Sequence, residues 1–180
     1  MNIKKILTKI VLLLALCSTC ASLSKPTVTK AETTVTAKPM FPKKMQGTWY
    51  TYSKYDKKLY KITITKKKII YYGPNRNKST LTVHKFIPRD NRPQTKKYLK
   101  KTAKWIFLLG YEKAHGRKWL HYFGWNQTAG AGDYFNVSKI NGHKVLTTAA
   151  GAGVWKSEHY YRSAKLAKKL ANRHYHHFQY

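Results

Sequence analysis

The side chains of this chain that could move a proton, hold a metal or attack a bond are few and scattered. The acids are Glu32, Asp56, Asp90, Glu112, Asp133 and Glu158. Glycoside hydrolysis needs two carboxyls flanking one bond. No two of these acids are paired locally, and Asp56, Asp90 and Asp133 fall where turns are expected. The histidines are His84, His115, His121, His143, His159, His174, His176 and His177. The "HYHH" run that ends in His177 offers imidazoles to a transition metal, but a structural site needs more ligands at set spacing. His121 alternates with Trp119 and Phe123, which reads as an inward-pointing, satisfied core histidine. No G-x-S-x-G elbow presents a serine. The glycine loops "QTAGAGDY" and "TTAAGAGVW" lack the spacing and the lysine of a phosphate cradle. Small residues at sharp turns account for both. The reading therefore gives no catalytic residue, no metal site and no cofactor, and it points away from an enzyme.

Charge carries more information. The formal net charge is +30 at pH 7, from 36 basic and 6 acidic residues. Three clusters stand out: Lys66, Lys67 and Lys68; Lys96, Lys97, Lys100 and Lys101; and Lys165, Lys168, Lys169 and Arg173. Together they are the candidate polyanion-binding residues. If they converge, they form one anion-binding face whose affinity falls steeply with salt. If they scatter, they make local patches, and scatter is the expected arrangement. Such a field repels copies of the same chain, so a monomer is expected. Aromatic residues make up 14% of the chain. An exposed stripe of Tyr50, Tyr52, Tyr71 and Tyr72 beside lysines would suit sugars or stacked bases. The same composition is also ordinary for strands.

The elements that must position these residues follow from periodicity. Residues 1–31 read as a signal peptide: a basic start, the short apolar run "ILTKIVLLLALC", then small residues, with cleavage after Ala21 or Ala31. A retained anchor is the alternative. Cys17 and Cys20 both lie here, in poor context for lipidation, so either cleavage leaves a chain without cysteine. Cleavage after Ala31 removes five lysines and no acid, leaving a net +25. Residues 32–44, rich in Thr, Lys and Pro, read as a flexible linker. From 45 to 162 the pattern is that of strands. "LYKITIT" alternates cleanly, "KIIYYG" follows it, and Asn141-Gly142 between alternating runs is a strong hairpin signal. Residues 88–103, with two prolines and many lysines, read as a long exposed loop. The expected fold is all-β: an antiparallel up-and-down meander of eight or nine strands, closed into a small barrel to remove its edges. Residues 163–180 switch to helical spacing behind Ser163 and form a basic helical tail, docked weakly or frayed.

Gly47-Thr48-Trp49 opens the first strand of this meander, and a helix follows the last. That arrangement resembles the G-x-W pattern of the lipocalin and wider calycin barrels. The resemblance implies that Gly47 and Trp49 close the barrel base and that a basic residue after the last strand, here Arg162, packs across the indole. The domain from "FPKKMQGTWYTY" to "HYYRSAKL" is also similar to a group of small secreted proteins of lactic acid bacteria, for which it implies no particular activity. Lipocalins often carry a disulfide, which the mature chain here lacks.

The functional expectation is a secreted, non-enzymatic, cationic barrel held near the cell surface by charge. Its partner would be an anionic wall polymer, an acidic glycan or an anionic membrane surface. A carrier of a small apolar ligand is the first alternative, with Trp105, Phe107, Trp119 and Phe123 lining its pocket. Extracellular nucleic-acid binding is the second.

Overall fold

The computed structural model describes residues 38–73 and 77–180; the expected signal segment and residues 32–37 of the expected linker lie outside them. Nine strands follow one another in sequence order round a closed ring. They are β1 (Gly47–Ser53), β2 (Lys58–Ile64), β3 (Lys68–Tyr72), β4 (Lys78–Val83), β5 (Trp105–Ala114), β6 (Arg117–Gly124), β7 (Asp133–Ile140), β8 (His143–Ala150) and β9 (Trp155–Tyr161). β9 returns to β1 through a single pair, Tyr50 with Tyr161. The Asn141-Gly142 hairpin forms as its sequence requires, with φ of 47° and 80° at the two turn residues.

Two expectations about connectivity need correction. The meander is not antiparallel throughout: β4 and β5 run parallel, pairing Thr82 with Trp105 and Val83 with Ile106. A parallel pair needs a long crossover, commonly helical, and residues 84–104 supply it. This segment is not a plain exposed loop. It carries a 3-10 turn (Arg89–Asn91) and a helix, α1 (Lys96–Thr102). Thr95 caps α1 by accepting the Tyr98 N–H, and Thr102, one turn after Tyr98, is fully buried. The lysines hid that i, i+4 pair in the sequence.

Neighbouring residues on β6 to β9 divide between two apolar clusters. Leu120, Phe135, Leu146 and Tyr160 belong to the first; Trp119, Tyr134, Val145 and Tyr161 belong to the second. Successive side chains on a strand point to opposite faces. The first cluster draws a residue from every strand, so it is the ring's interior. The second coats the outer face, beneath a short helix, α2 (Ala164–Lys169), and the residues after it. α2 is shorter than the periodicity suggested. The chain leaves it through Leu170, and Asn172 takes a left-handed φ of 55°. The tail then returns to the sheet. Phe178 is buried against Trp119 and the Arg117 guanidinium, and the Ser157 N–H donates to the Gln179 carbonyl at 2.7 Å.

Residues 38–46, mostly expected to be linker, form a strap across one end of the ring. Phe41 and Met45 are buried in the interior cluster, with Phe41 edge-on to Phe135 at 6.1 Å. The Phe41 N–H donates to the Lys66 carbonyl at 2.8 Å, and the Gln46 amide donates to the Phe41 carbonyl at 2.8 Å. Truncating a buried Phe to Ala costs about 3–5 kcal/mol. Phe41→Ala should therefore lose about 3 kcal/mol or more in urea denaturation, whereas a true linker residue would lose almost nothing.

Candidate functional site

The strap leads directly into the end of the ring that is closed. Trp49 is fully buried, and its indole N–H donates to the Met45 carbonyl at 2.8 Å. The Arg162 guanidinium lies over the indole, 3.5 Å from the ring centroid. It donates to the Thr48 carbonyl at 3.3 Å and to the Gln46 carbonyl at 2.8 Å. Gly47 sits beneath with φ of 110°, and a Cβ there would collide with the guanidinium. Desolvation lowers the Arg162 pKa from its ordinary value without threatening its charge.

The three basic clusters do not form one face. All eleven side chains are exposed. Lys66 to Lys68 turn between β2 and β3. α1, with Lys96, Lys97, Lys100 and Lys101, is fixed at the end of β6, where Asn126 donates to the Leu99 carbonyl at 2.9 Å and Trp125 to the Tyr98 hydroxyl at 3.0 Å. α2, with Lys165, Lys168 and Lys169, packs on β1 and β9. In ring order that places α2 opposite β5.

The structure also assembles lysines that the sequence left apart. A cleft of about 800 Å3 lies between the strap and β5–β6, with Lys38, Lys43, Lys66 and Lys118 around it. Phe41, Leu108 and Leu120 form its floor, and Met40, Pro42 and Tyr111 its walls. No carboxylate lines it. Lys118 is held above the Tyr111 ring, 4.7 Å from its centroid. The register slips between Leu108 and Gly110, and such a bulge bends a strand. Of these four lysines only Lys66 was singled out from sequence. The Phe41-Pro42 step inside a polar run was the available clue.

The expected apolar pocket is not there. Trp119 belongs to the outer cluster, and β5 and β6 point Ile106, Leu108, Leu120 and Tyr122 inward instead. By the same alternation, Trp105, Phe107 and Phe123 face outward. They join Trp125 around the buried Arg92, whose guanidinium lies 4.0 Å from the Trp125 ring. The tyrosine stripe is also not exposed. Tyr71 packs on the interior, Tyr50 and Tyr52 on the outer cluster, and Tyr72 lies beneath Lys61.

The titratable groups are engaged. His121 is buried as expected, but on the outer face, between the Glu112 carboxylate and the Ala131 carbonyl. Tyr60 donates to Asp56, and Tyr160 donates to Glu158 at 2.8 Å. Burial holds the Glu158 and Asp133 carboxyls above their ordinary values. His159 lies between the Thr147 hydroxyl at 2.9 Å and the Tyr180 hydroxyl at 2.6 Å, so neither ring nitrogen is free to activate Ser157. Among the described residues no group of three or more His, Cys, Asp or Glu could hold a metal ion, and no helix is long and apolar enough to cross a membrane. No family model, no curated protein and no solved structure matches this chain.

Two predictions follow from this geometry. Gly47→Ala should cost about 2 kcal/mol or more, the scale of local backbone strain plus a clash. In an Arg162→Ala background the same change should cost at least about 1 kcal/mol less, because the collision is gone. Urea titrations of the four proteins measure this. Equal costs in both backgrounds would mean that Arg162 does not press on Gly47. The second concerns acid. Burial, then the charges of Arg117 and His174, depress His159 from 6.5 to about 4. The unfolded chain therefore takes up a proton that the folded chain refuses. The associated stability is complete above pH 6.5 and falls as the pH drops towards 4, by up to roughly 3 kcal/mol. Denaturation between pH 7 and 4 should show this slope, and His159→Gln should flatten it.

Proposed function

We propose that the protein is a secreted, non-enzymatic barrel of lipocalin-like build that holds to anionic polymers of a cell surface by charge. The partner is a wall polymer, an acidic glycan or an anionic membrane surface. The observation that carries this reading is the excess of positive charge, 36 basic residues against 6 acidic. The eleven cationic side chains of the three clusters all stand in solvent at different places round the ring. The few acids, several of them exposed as well, are far outnumbered. Little on the surface offsets the positive field. A long polyanion can touch several patches at once, and each contact adds through counterion release.

Three further features support this reading over its alternatives. The closed order of strands, Gly47, and the Trp49–Arg162 stack are what a lipocalin-like base calls for. The pocket expected of a carrier does not form, because Trp119 belongs to the outer cluster and Trp105, Phe107 and Phe123 face outward with it, and this favours a surface binder. A single-stranded nucleic acid would want exposed rings along the lysines, and the four tyrosines of the expected stripe are packed instead.

Binding to wall polymer, to phosphatidylglycerol-containing vesicles and to DNA, each between 50 and 500 mM NaCl, tests the proposal. The wall polymer or the vesicles should bind more tightly than DNA, and affinity should fall along a straight line in log salt. Reversing the four lysines of α1, or the three of α2, should each reduce the slope. Retention at 500 mM NaCl would refute a charge-based attachment. Equal, salt-abolished binding to all three would leave only nonspecific charge.

A further inference from the structure

We propose that the cleft beneath the strap is a discrete site for a single-chain anionic amphiphile, an unbranched alkyl chain with one carboxylate or phosphate head. The proposal does not depend on the surface-polymer reading, because it concerns one bounded site and a monomeric ligand. Its volume of about 800 Å3 falls within the range of small-molecule sites.

The site has two parts of different chemistry. Its floor and walls are hydrocarbon and aromatic: Phe41, Leu108 and Leu120 below, Met40, Pro42 and Tyr111 at the sides. A neutral polar ligand would leave the hydrocarbon floor unmatched. The rim is four lysines with no carboxylate among the lining residues. A purely apolar ligand would leave their charges unused, and a cationic one would be repelled. A long polymer of fixed charge would meet the rim but leave the apolar floor uncovered. A chain with one anionic end uses both parts.

The other candidate occupants lack the chemistry of the site. The stretch of this chain that precedes the strap, residues 22–37, is polar, with Lys25 and Lys30 against the single acid Glu32, and residues 32–37 offer only Val35 and Ala37 as apolar side chains to an apolar floor. A second copy would bring another strongly positive surface to a cationic rim. The geometry of the strap also suits an occupied cleft. It is pinned at Phe41 and Gln46 by backbone and side-chain bonds, so the wall is present before a ligand arrives.

Isothermal titration calorimetry of the purified protein with laurate and dodecyl phosphate, below their micellar concentrations, provides the test. Dodecyltrimethylammonium and dodecyl maltoside serve as cationic and neutral controls. Both anions should saturate one site, the neutral detergent should bind at least tenfold more weakly, and the cation should show no saturable binding. Affinity should rise about three- to fourfold per methylene from octanoate to laurate as the chain buries against the floor. Lys66→Glu with Lys118→Glu should weaken laurate at least tenfold. Met40→Glu should abolish binding, and Met40→Leu should preserve it. Lys165→Glu with Lys168→Glu, on α2, should change it less than twofold. Thermal melts check that each variant is folded. A photoreactive fatty acid should label peptides from 38–46 and 105–120.

No saturation by either anion, equal binding of the cation, or labelling elsewhere would overturn the proposal. A loss on the α2 variant equal to that on the rim variant would do the same, by reducing the effect to overall charge. If laurate binds only after residues 1–37 are removed, that segment is the occupant and the proposal falls. If laurate instead dissociates a dimer, the occupant is a second copy.

Discussion

The contact on which the fold turns is the Arg162 guanidinium lying over the Trp49 indole. It joins the first strand to the residue after the last. β1 and β9 share only one residue pair, Tyr50 with Tyr161. The ring's seam is therefore held less by a ladder than by this side-chain clasp and by the tail that covers it. The guanidinium lies over a ring and at the same time donates to two carbonyls, Thr48 and Gln46. A lysine could not reproduce that combination. The indole beneath is buried and has its own N–H satisfied by Met45, so neither partner leaves a polar group stranded. Gln46 then passes the constraint on, because its carbonyl receives Arg162 and its amide holds Phe41.

The described residues hold no cysteine, so no disulfide joins their strands and packing has to hold the ring together. The aromatics do this in two layers. Inside the ring, Trp49, Phe135, Tyr122 and Tyr160 belong to one packed cluster that draws on every strand. Outside, Trp119, Tyr134 and Tyr161 are covered by α2 and by Phe178 at the end of the tail. The tail adds polar bonds to this cover, through Tyr180 to His159 and through Gln179 to Ser157. Few contacts are spent on the surface lysines. The positive field therefore surrounds a body whose stability does not depend on pairing it.

Much of the fold was legible before any coordinates, because β-strands announce themselves locally. Tyr60, Ile62 and Ile64 against Lys61, Thr63 and Thr65 define a strand wherever it lies, and Asn141-Gly142 defines its hairpin. α1 was hidden because its buried side is only Tyr98 and Thr102 among lysines. The strap was hidden because Phe41 and Met45 carry no period, only a destination. Trp105, Phe107, Trp119 and Phe123 were assigned to the wrong face for a plain reason. Both sides of β5 and β6 are apolar, and a period of two says that faces alternate without saying which one is inside.

The sequence by itself determined an all-β meander of eight or nine strands and the excess of positive charge. Each of these rests on local pattern or on composition, which survive without knowledge of neighbours. Only the tertiary structure decided which faces of β5 and β6 point inward, that α1 and α2 stand on opposite sides of the ring, and that Lys38, Lys43, Lys66 and Lys118 share a cleft. Those facts depend on strand tilt, on the bulge at Gly110 and on the path of the strap. Side chains as much as 80 residues apart in the chain meet there through the curvature of the sheet, which no single stretch of sequence encodes.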